Sequence, residues 1–337
     1  MALPLISLGI VELDTNRDLM SIWTYPSCDE DIDGVARARC RLGKGQSGGQ
    51  CFSRFRGQWL YSDAAPNANQ SSKSRKRVAH IAVYVCAKTY HPELYLALCK
   101  TARELYEGDA NPVDVMQLFI AAYGSGKAGA FSAKNFDINE AYLTCALMDT
   151  LKALKEQFVM LWMAMLLKKR VVVYCPNLEQ LQLIVRTMPL LVWHRENFDV
   201  LRPLVNLSEV EIADLSGHFV AGFTDESCKA AGHKLYDVLL DVPAQSIVLS
   251  DKAAASMEMG SYHTEFGEQL AAASESTKAS DKKVLKAMMA KTDELFSNLR
   301  ALAEQGPLTR EGLQDQGGSS MANFLYSTAL AENMAGS

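Results

Sequence analysis

No apolar run in this sequence is long enough to cross a bilayer. The longest uncharged one, residues 158–167, has ten residues, against the ~20 that a spanning helix needs. It reads as the end of a buried helix. The opening Met1-Ala2-Leu3-Pro4-Leu5 lacks a basic segment ahead of an apolar one, so no secretory signal is expected. Ala2 stands where N-myristoylation requires glycine, and no CaaX box closes the chain. Membrane contact is therefore expected to be peripheral only.

Basic charge is also scarce. Lys and Arg number 34 against 39 Asp and Glu, a net charge of −5, which argues against a dedicated nucleic-acid binder. None of the eight cysteines forms a Cys-x-x-Cys pair. Scattered through apolar runs, they read as reduced core thiols of a cytosolic protein. His80, His91, His194, His218, His233 and His263 stand apart, without ligand spacing. No metal is expected, and each reads as a surface or satisfied core histidine.

Three short motifs tempt. Gly43-Lys44-Gly45-Gln46-Ser47-Gly48 and Gly124-Ser125-Gly126-Lys127-Ala128-Gly129 both match the dinucleotide fingerprint. That site needs a strand before the glycines and a helix after them, to aim the helix N-terminus at the pyrophosphate. The first match follows a helix end and precedes a strand; the second follows a helix. Gly45-Gln46-Ser47-Gly48-Gly49 has the spacing of a nucleophile elbow without its strand-turn-helix setting. All three read as loops. No cofactor and no catalytic residue is expected.

What is present is a regular alternation of elements. Residues 5–13 and 19–25 read as strands around a turn at 14–18, the second stopped by Pro26. Ser27 and Glu30 suit a capping box, with Ile32, Val35, Ala36 and Cys40 on one helical face. Strands are expected at 51–55, 59–63 and 78–88. Helices are expected at 92–107 and 112–123, each opened by proline and the second closed by Gly124. The order ββαβββαα fits one helix-backed antiparallel sheet.

The composition breaks near 124–135. A long helix is expected from the capping pair Asp137 and Glu140 to about Leu167, then a strand at 171–175 and a helix opened by Pro176-Asn177. Later strands at 218–223 and 235–241 complete a parallel or mixed sheet covered on both faces. From Pro243 onward the pattern reads as helical.

Two basic runs stand out. Lys73, Arg75, Lys76 and Arg77 read as a solvated loop, with an anionic partner as the sharper alternative. Lys168-Lys169-Arg170 reads as a helix C-terminus complementing the macrodipole.

The middle of the chain resembles DENN domains. Met165-Leu166-Leu167-Lys168-Lys169-Arg170-Val171-Val172-Val173-Tyr174 is similar to their helix-to-strand junction. Met188-Pro189-Leu190-Leu191-Val192-Trp193, Pro203-Leu204, residues 217–223 and Leu235-Tyr236-Asp237-Val238-Leu239-Leu240-Asp241 resemble later family segments. Leu8-Gly9-Ile10-Val11-Glu12-Leu13-Asp14-Thr15-Asn16, Trp23-x-Tyr25-Pro26, Leu191-Val192-Trp193-His194-Arg195 and Asn323-Phe324-Leu325-Tyr326 are similar to the small members made of little beyond the DENN module. The loop at 66–77 is longer and more basic than the family pattern, and the proline before the 217–223 strand is missing.

The resemblance implies an α/β (α+β) fold in three modules: longin-like at 1–130, central α/β at 131–250 and helical at 251–337. It implies a guanine-nucleotide exchange factor for a Rab GTPase, met nucleotide-free or with GDP. It implies peripheral work on late endosomes and multivesicular bodies, and association with coiled-coil subunits of the Commander endosomal-recycling assembly. A non-exchanging adaptor of that assembly is the competing reading. Exchange needs a shaped surface rather than a nucleophile. Trp193 is expected to be buried, and His194, Arg195, Glu196 and Asn197 to emerge beside it as a partner interface.

Overall fold

The computed structural model describes residues 2–334 other than Lys44, Ser47, 70–76, Ala110, Thr277, Lys278 and Gly317. It divides into two compact units. The first holds 1–143 with Glu209–Asp214; the second holds Thr144–Ser208 and Leu215–Ser337.

The first unit starts with β1 (Leu5–Asp14) and β2 (Leu19–Tyr25). Between them, Asp14 Oδ1 accepts the Asn16 and Asp18 amides, both at 2.8 Å. α1 (Glu30–Arg39) is capped by Asp29, whose Oδ1 accepts from Asp31 and Ile32. The cap thus lies two residues beyond the expected Ser27, because an Asp carboxylate at that position reaches the first free amides. β3 (Gly49–Phe55) and β4 (Gln58–Pro66) form a hairpin over Arg56 and Gly57, with φ of 45° and 75°. Paired positive φ values match the right-handed twist of the flanking strands.

β5 (Val78–Ala87), α2 (Pro92–Asp109) and α3 (Pro112–Ser125) follow. Gly126, at φ 70°, ends α3 in place of the expected Gly124, since the left-handed cap falls where the last turn runs out. A two-residue pair, β6 (Lys127–Ala128) with β7 (Phe131–Ser132), leads to α4 (Ile138–Leu143).

Five strands pair antiparallel in the order β2-β1-β5-β4-β3, as the ββαβββαα pattern predicts. Side chains alternate across a strand, so odd and even positions of β1 serve different helices. Val11 and Leu13 pack with Ile32 and Ala36 of α1. On the opposite face, the Tyr106 hydroxyl of α2 donates to Glu12 Oε1 at 2.9 Å, and Arg103 Nε to Asp63 Oδ2 at 2.6 Å. Gly9 lies opposite Tyr84, whose ring would stand 2.2 Å from any Cβ placed there. That space lets the Tyr84 hydroxyl meet Thr24 Oγ1 at 3.0 Å.

The second unit opens with α5 (Leu147–Leu154) and α6 (Val159–Leu166), joined by a 3₁₀ turn. The single helix expected between Asp137 and Leu167 is therefore several pieces. Lys155, at φ 52° and ψ −129°, breaks the helical path between the last two. β8 (Val171–Tyr174), α7 (Leu178–Leu190) and β9 (Leu201–Arg202) follow. α8 (Glu209–Ala213) groups with the first unit. The chain then forms β10 (Val220–Phe223), β11 (Val238–Asp241) and β12 (Ser246–Leu249). Four helices complete it: α9 (Asp251–Ser256), α10 (Ser261–Glu275), α11 (Asp281–Gln305) and α12 (Gly318–Ala331).

The strand order is β12-β11-β8-β10-β9, parallel except for the β11–β12 hairpin. β12 corrects the helical reading after Pro243. Its Ser246–Leu249 is too short for a periodicity signal, and backbone pairing alone makes it a strand. β8 is buried along its whole length, the signature of a parallel strand covered on both faces. Gly222 of β10 is required by close approach, because a Cβ there would lie 2.5 Å from the Pro203 carbonyl oxygen.

The core of this unit holds a buried base. His263 of α10 has no exposed surface. Its Nδ1 accepts the Gly260 amide at 3.2 Å, which leaves the proton on Nε2. Nε2 has no hydrogen-bond partner, and the ring stands edge-on to Phe324 at 4.5 Å and 87°. Burial pushes its pKa down to about 4, against roughly 6.5 in an unfolded chain. Between these values the unfolded chain binds the extra proton, so the stability contribution is complete above pH ~6.5 and lost as pH falls toward 4. The slope is about 1.4 kcal/mol per pH unit. Urea unfolding at pH 7 and pH 5 should show the parent losing about 1–2 kcal/mol more than His263→Phe. Parallel losses would show that the imidazole is not the group responsible.

Candidate protein interface

Trp193 opens a 3₁₀ turn, Trp193–Arg195, just past α7. It is half-buried, not buried as expected. The apolar stretch before it, Leu190, Leu191 and Val192, already fills the core, and the turn leaves the indole at the surface margin, edge-on to Phe198 at 6.4 Å and 83°. The fully buried tryptophans are Trp59 and Trp162.

The segment after Trp193 splits in two. Arg195 turns inward. Its Nη1 donates to the Met165 carbonyl at 2.6 Å and its Nη2 to the Leu166 carbonyl at 2.8 Å. These carbonyls end α6, where intrahelical donors run out and positive charge is favoured. Arg195 Nε also donates to Glu332 Oε1 at 2.9 Å, and His194 Nε2 lies 3.3 Å from the same oxygen. Burial pushes the Glu332 carboxyl up, but the His194 and Arg195 hydrogen bonds outweigh it and hold the pKa down to about 2. Glu196 and Asn197 are exposed. Glu196 sits at φ 45°, and Asn197 Oδ1 accepts the Asp199 amide at 3.0 Å. His194 and Glu332 also border a shallow cavity of about 420 Å³ with Asp293, Phe296 and Arg300. Glu332 is missed by sequence reasoning because it lies 137 residues from Arg195, beyond any local spacing.

Lys168-Lys169-Arg170 does more than end a helix. Arg170 meets Asp237 through Nε at 3.2 Å and Nη2 at 2.9 Å, and its Nη2 donates to the His233 carbonyl at 2.8 Å. Its fork therefore joins the start of β8 to the approach to β11. Of the run Lys73, Arg75, Lys76 and Arg77, only Arg77 falls within the described residues, and it is exposed.

The second glycine motif spans the end of α3 and the β6–β7 hairpin, with no helix directly after it. The first lies in the loop between α1 and β3, with Lys44 and Ser47 outside the described residues. Among the described residues, no group of three or more His, Cys, Asp or Glu side chains is placed to hold a metal. The eight cysteines are free thiols. No helix of the structure is long and apolar enough to cross a membrane.

A different surface in the first unit is apolar and uncovered. No residue of β2 is buried; Leu19 is 48% exposed, Met20 41% and Tyr25 38%. Trp23 stacks on Tyr25 at 5.8 Å, Tyr25 meets Phe119 edge-on at 6.0 Å, and Phe119 stacks on Tyr123 at 6.4 Å. Val113, Ile120 and Tyr123 are half exposed along α3. Phe119 itself is buried, so the exposed part is Leu19, Met20 and Tyr25 of β2 and Val113, Ile120 and Tyr123 of α3, and exposed apolar groups of this kind are common at protein contact sites. The apolar Leu19-Met20-Ser21-Ile22-Trp23-Thr24-Tyr25 predicted a strand, but strand character alone does not tell an edge from a centre.

Comparison with known proteins places the chain in a family. Residues 145–251 match the family model described as SPA, stabilization of polarity axis. DENN domain-containing protein 10 of Danio rerio is 34% identical over 343 residues, 98% of this chain and 97% of that protein. The Homo sapiens protein of the same name is 31% identical over 346 residues, covering 98% and 96%. That of Dictyostelium discoideum is 30% identical over 358 residues, covering 98% of each. The chain belongs to the DENN domain family, in its DENN domain-containing protein 10 branch.

Proposed function

We propose that this chain is a DENN-type guanine-nucleotide exchange factor for a Rab GTPase in late-endosomal and endosomal-recycling traffic. The observation that carries this reading is the match to DENN domain-containing protein 10 relatives over about 98% of the chain. Exchange is a difference in binding. A protein that holds the nucleotide-free GTPase more tightly than the GDP form lowers nucleotide affinity by the same factor. Such a protein works through a surface, and the family's longin-like (1–130), central (131–250) and helical (251–337) modules would provide it. The protein would act peripherally at late endosomes and multivesicular bodies.

Fluorescent-GDP release from a panel of Rab GTPases tests the proposal. Acceleration of about tenfold or more for one or a few Rabs is the expected result. Glu196→Lys is the informative interface variant, because Arg195 is committed to α6 and Glu332. It should change the rate without changing the melting temperature. Release unaffected across the whole panel overturns the exchange reading. The uncovered apolar face of α3, where Val113, Ile120 and Tyr123 are half exposed, favours a second reading, that of a standing adaptor subunit of the Commander assembly held by its coiled-coil subunits. Stable co-purification with those subunits, without exchange, would mark that case.

A further inference from the structure

We propose that β2 is a self-association edge, on which a second copy of this chain adds its own β2 antiparallel about a two-fold axis near Ile22. This goes beyond the exchange reading and concerns a different surface.

β2 ends its sheet, with β1 on one side and no strand on the other among the described residues. An edge strand presents a row of unpaired N–H and C=O groups that only another extended segment can match. Proteins blunt such edges with charged side chains, proline or a covering element. Residues 19–25 contain no charge and no proline, and none of them is buried. The one irregularity is a bulge. Ile10 pairs with Trp23 and Val11 with Ser21, so Ile22 is the extra residue.

A second copy of β2 would place this irregularity on the symmetry axis. Ile22 is the midpoint of Leu19–Tyr25. It divides the edge into two short ladders, 19–21 and 23–25. A second β2 turned about an axis near Ile22 carries its own extra residue at the same point, so 19–21 of one copy meets 25–23 of the other.

The flanking charges complement this arrangement and oppose the parallel one. At the start of β2 lie Asp14 and Asp18 with Arg17 and Arg77, whose formal charges cancel. At its end lie Asp29, Glu30, Asp31 and Asp33 with Arg37 and Arg56, four negative charges against two positive. Asp29 and Asp31 are held by Arg56 and Asp33 by Arg37, which leaves Glu30 exposed without an ion pair among the described residues. Arg17 is also exposed and makes no ion pair among the described residues. Antiparallel pairing brings the Arg17 end of each copy to the Glu30 end of the other. Parallel pairing would set the two acidic ends together.

Charge reversal reads this directly. Sedimentation velocity of the full chain over a concentration series should show a monomer–dimer equilibrium, with the Leu19–Tyr25 amides gaining hydrogen-exchange protection as dimer forms. Arg17→Glu alone and Glu30→Arg alone each set two like-charged contacts in the homodimer. Each should weaken it by about tenfold. Mixing the two variants satisfies both contacts, so a mixed dimer of near-parental affinity should form. Both residues are exposed, so melting temperatures lowered by no more than about 5 °C, the most that Glu30 at the start of α1 would contribute, should confirm folded variants. A chain that stays monomeric to ~100 µM overturns the proposal. So does a dimer that ignores both reversals, or failure of the mixture to recover. Protection of 19–25 that appears only on adding a Rab GTPase also overturns it, and assigns the edge to a different protein.

Discussion

Trp162→Ala is expected to destabilise the protein by about 3–5 kcal/mol. Trp162 has no exposed surface. Its ring meets Phe266 at 5.2 Å and 67° and Phe324 at 6.0 Å and 46°, so it joins α6 to α10 and α12. Its Nε1 donates to Thr292 Oγ1 at 3.0 Å, and that hydroxyl donates to the Met288 carbonyl at 2.9 Å. Truncation removes the packing and strands a buried acceptor. Trp162→Phe keeps most of the volume and loses only the donor, so it should cost about 1–3 kcal/mol. Urea unfolding of both variants separates the two contributions. Equal losses would mean that the hydrogen bond, not the volume, dominates; no loss for alanine would remove Trp162 from the core account.

The second large effect is expected at Glu211. Arg39 is 1% exposed and Glu211 5%, and Arg39 Nη2 donates to Glu211 Oε2. Arg39 Nε and Nη1 have no partner, so Glu211 is the one carboxylate that this buried cation meets among the described residues. Removing it leaves the cation uncompensated, at a cost of about 3–5 kcal/mol. Replacing both residues by apolar ones of similar volume, Arg39→Met with Glu211→Leu, should restore most of that loss. Glu211→Ala matching the parent in urea unfolding would show that the pair is solvated. The contact also explains why Glu209–Asp214 groups with the first unit although its neighbours in sequence belong to the second. Asp214 adds to it by accepting the Arg56 amide through both carboxylate oxygens at 3.3 Å.

The contrast between Trp162 and Trp193 shows how far the sequence could be read. Both lie in apolar stretches and both were expected to be buried; only Trp162 is. Helix α6 is apolar all round, so Trp162 had no solvent-facing option. Trp193 falls where α7 has already ended, and a turn of three residues decided its exposure. The same limit applies to the predicted interface. His194, Arg195, Glu196 and Asn197 are equally polar in sequence, yet Arg195 is committed to α6 carbonyls and to Glu332, while Glu196 faces outward.

Local chemistry by itself determined much of this protein. Alternation, proline-led helices and turn residues gave the ββαβββαα order of the first unit. The all-apolar Val171–Tyr174 gave a strand buried on both faces, and the absence of any ligand spacing turned the functional reading toward surfaces. Each of these signals lies within a few residues, which is the range over which backbone preference and side-chain periodicity act. The tertiary structure alone decided the rest: that β2 is an edge, that Arg39 finds Glu211 and Arg195 finds Glu332, and that α8 joins the first unit. Those facts depend on partners 137 and 172 residues apart and on which strand has no neighbour, and no local pattern encodes either.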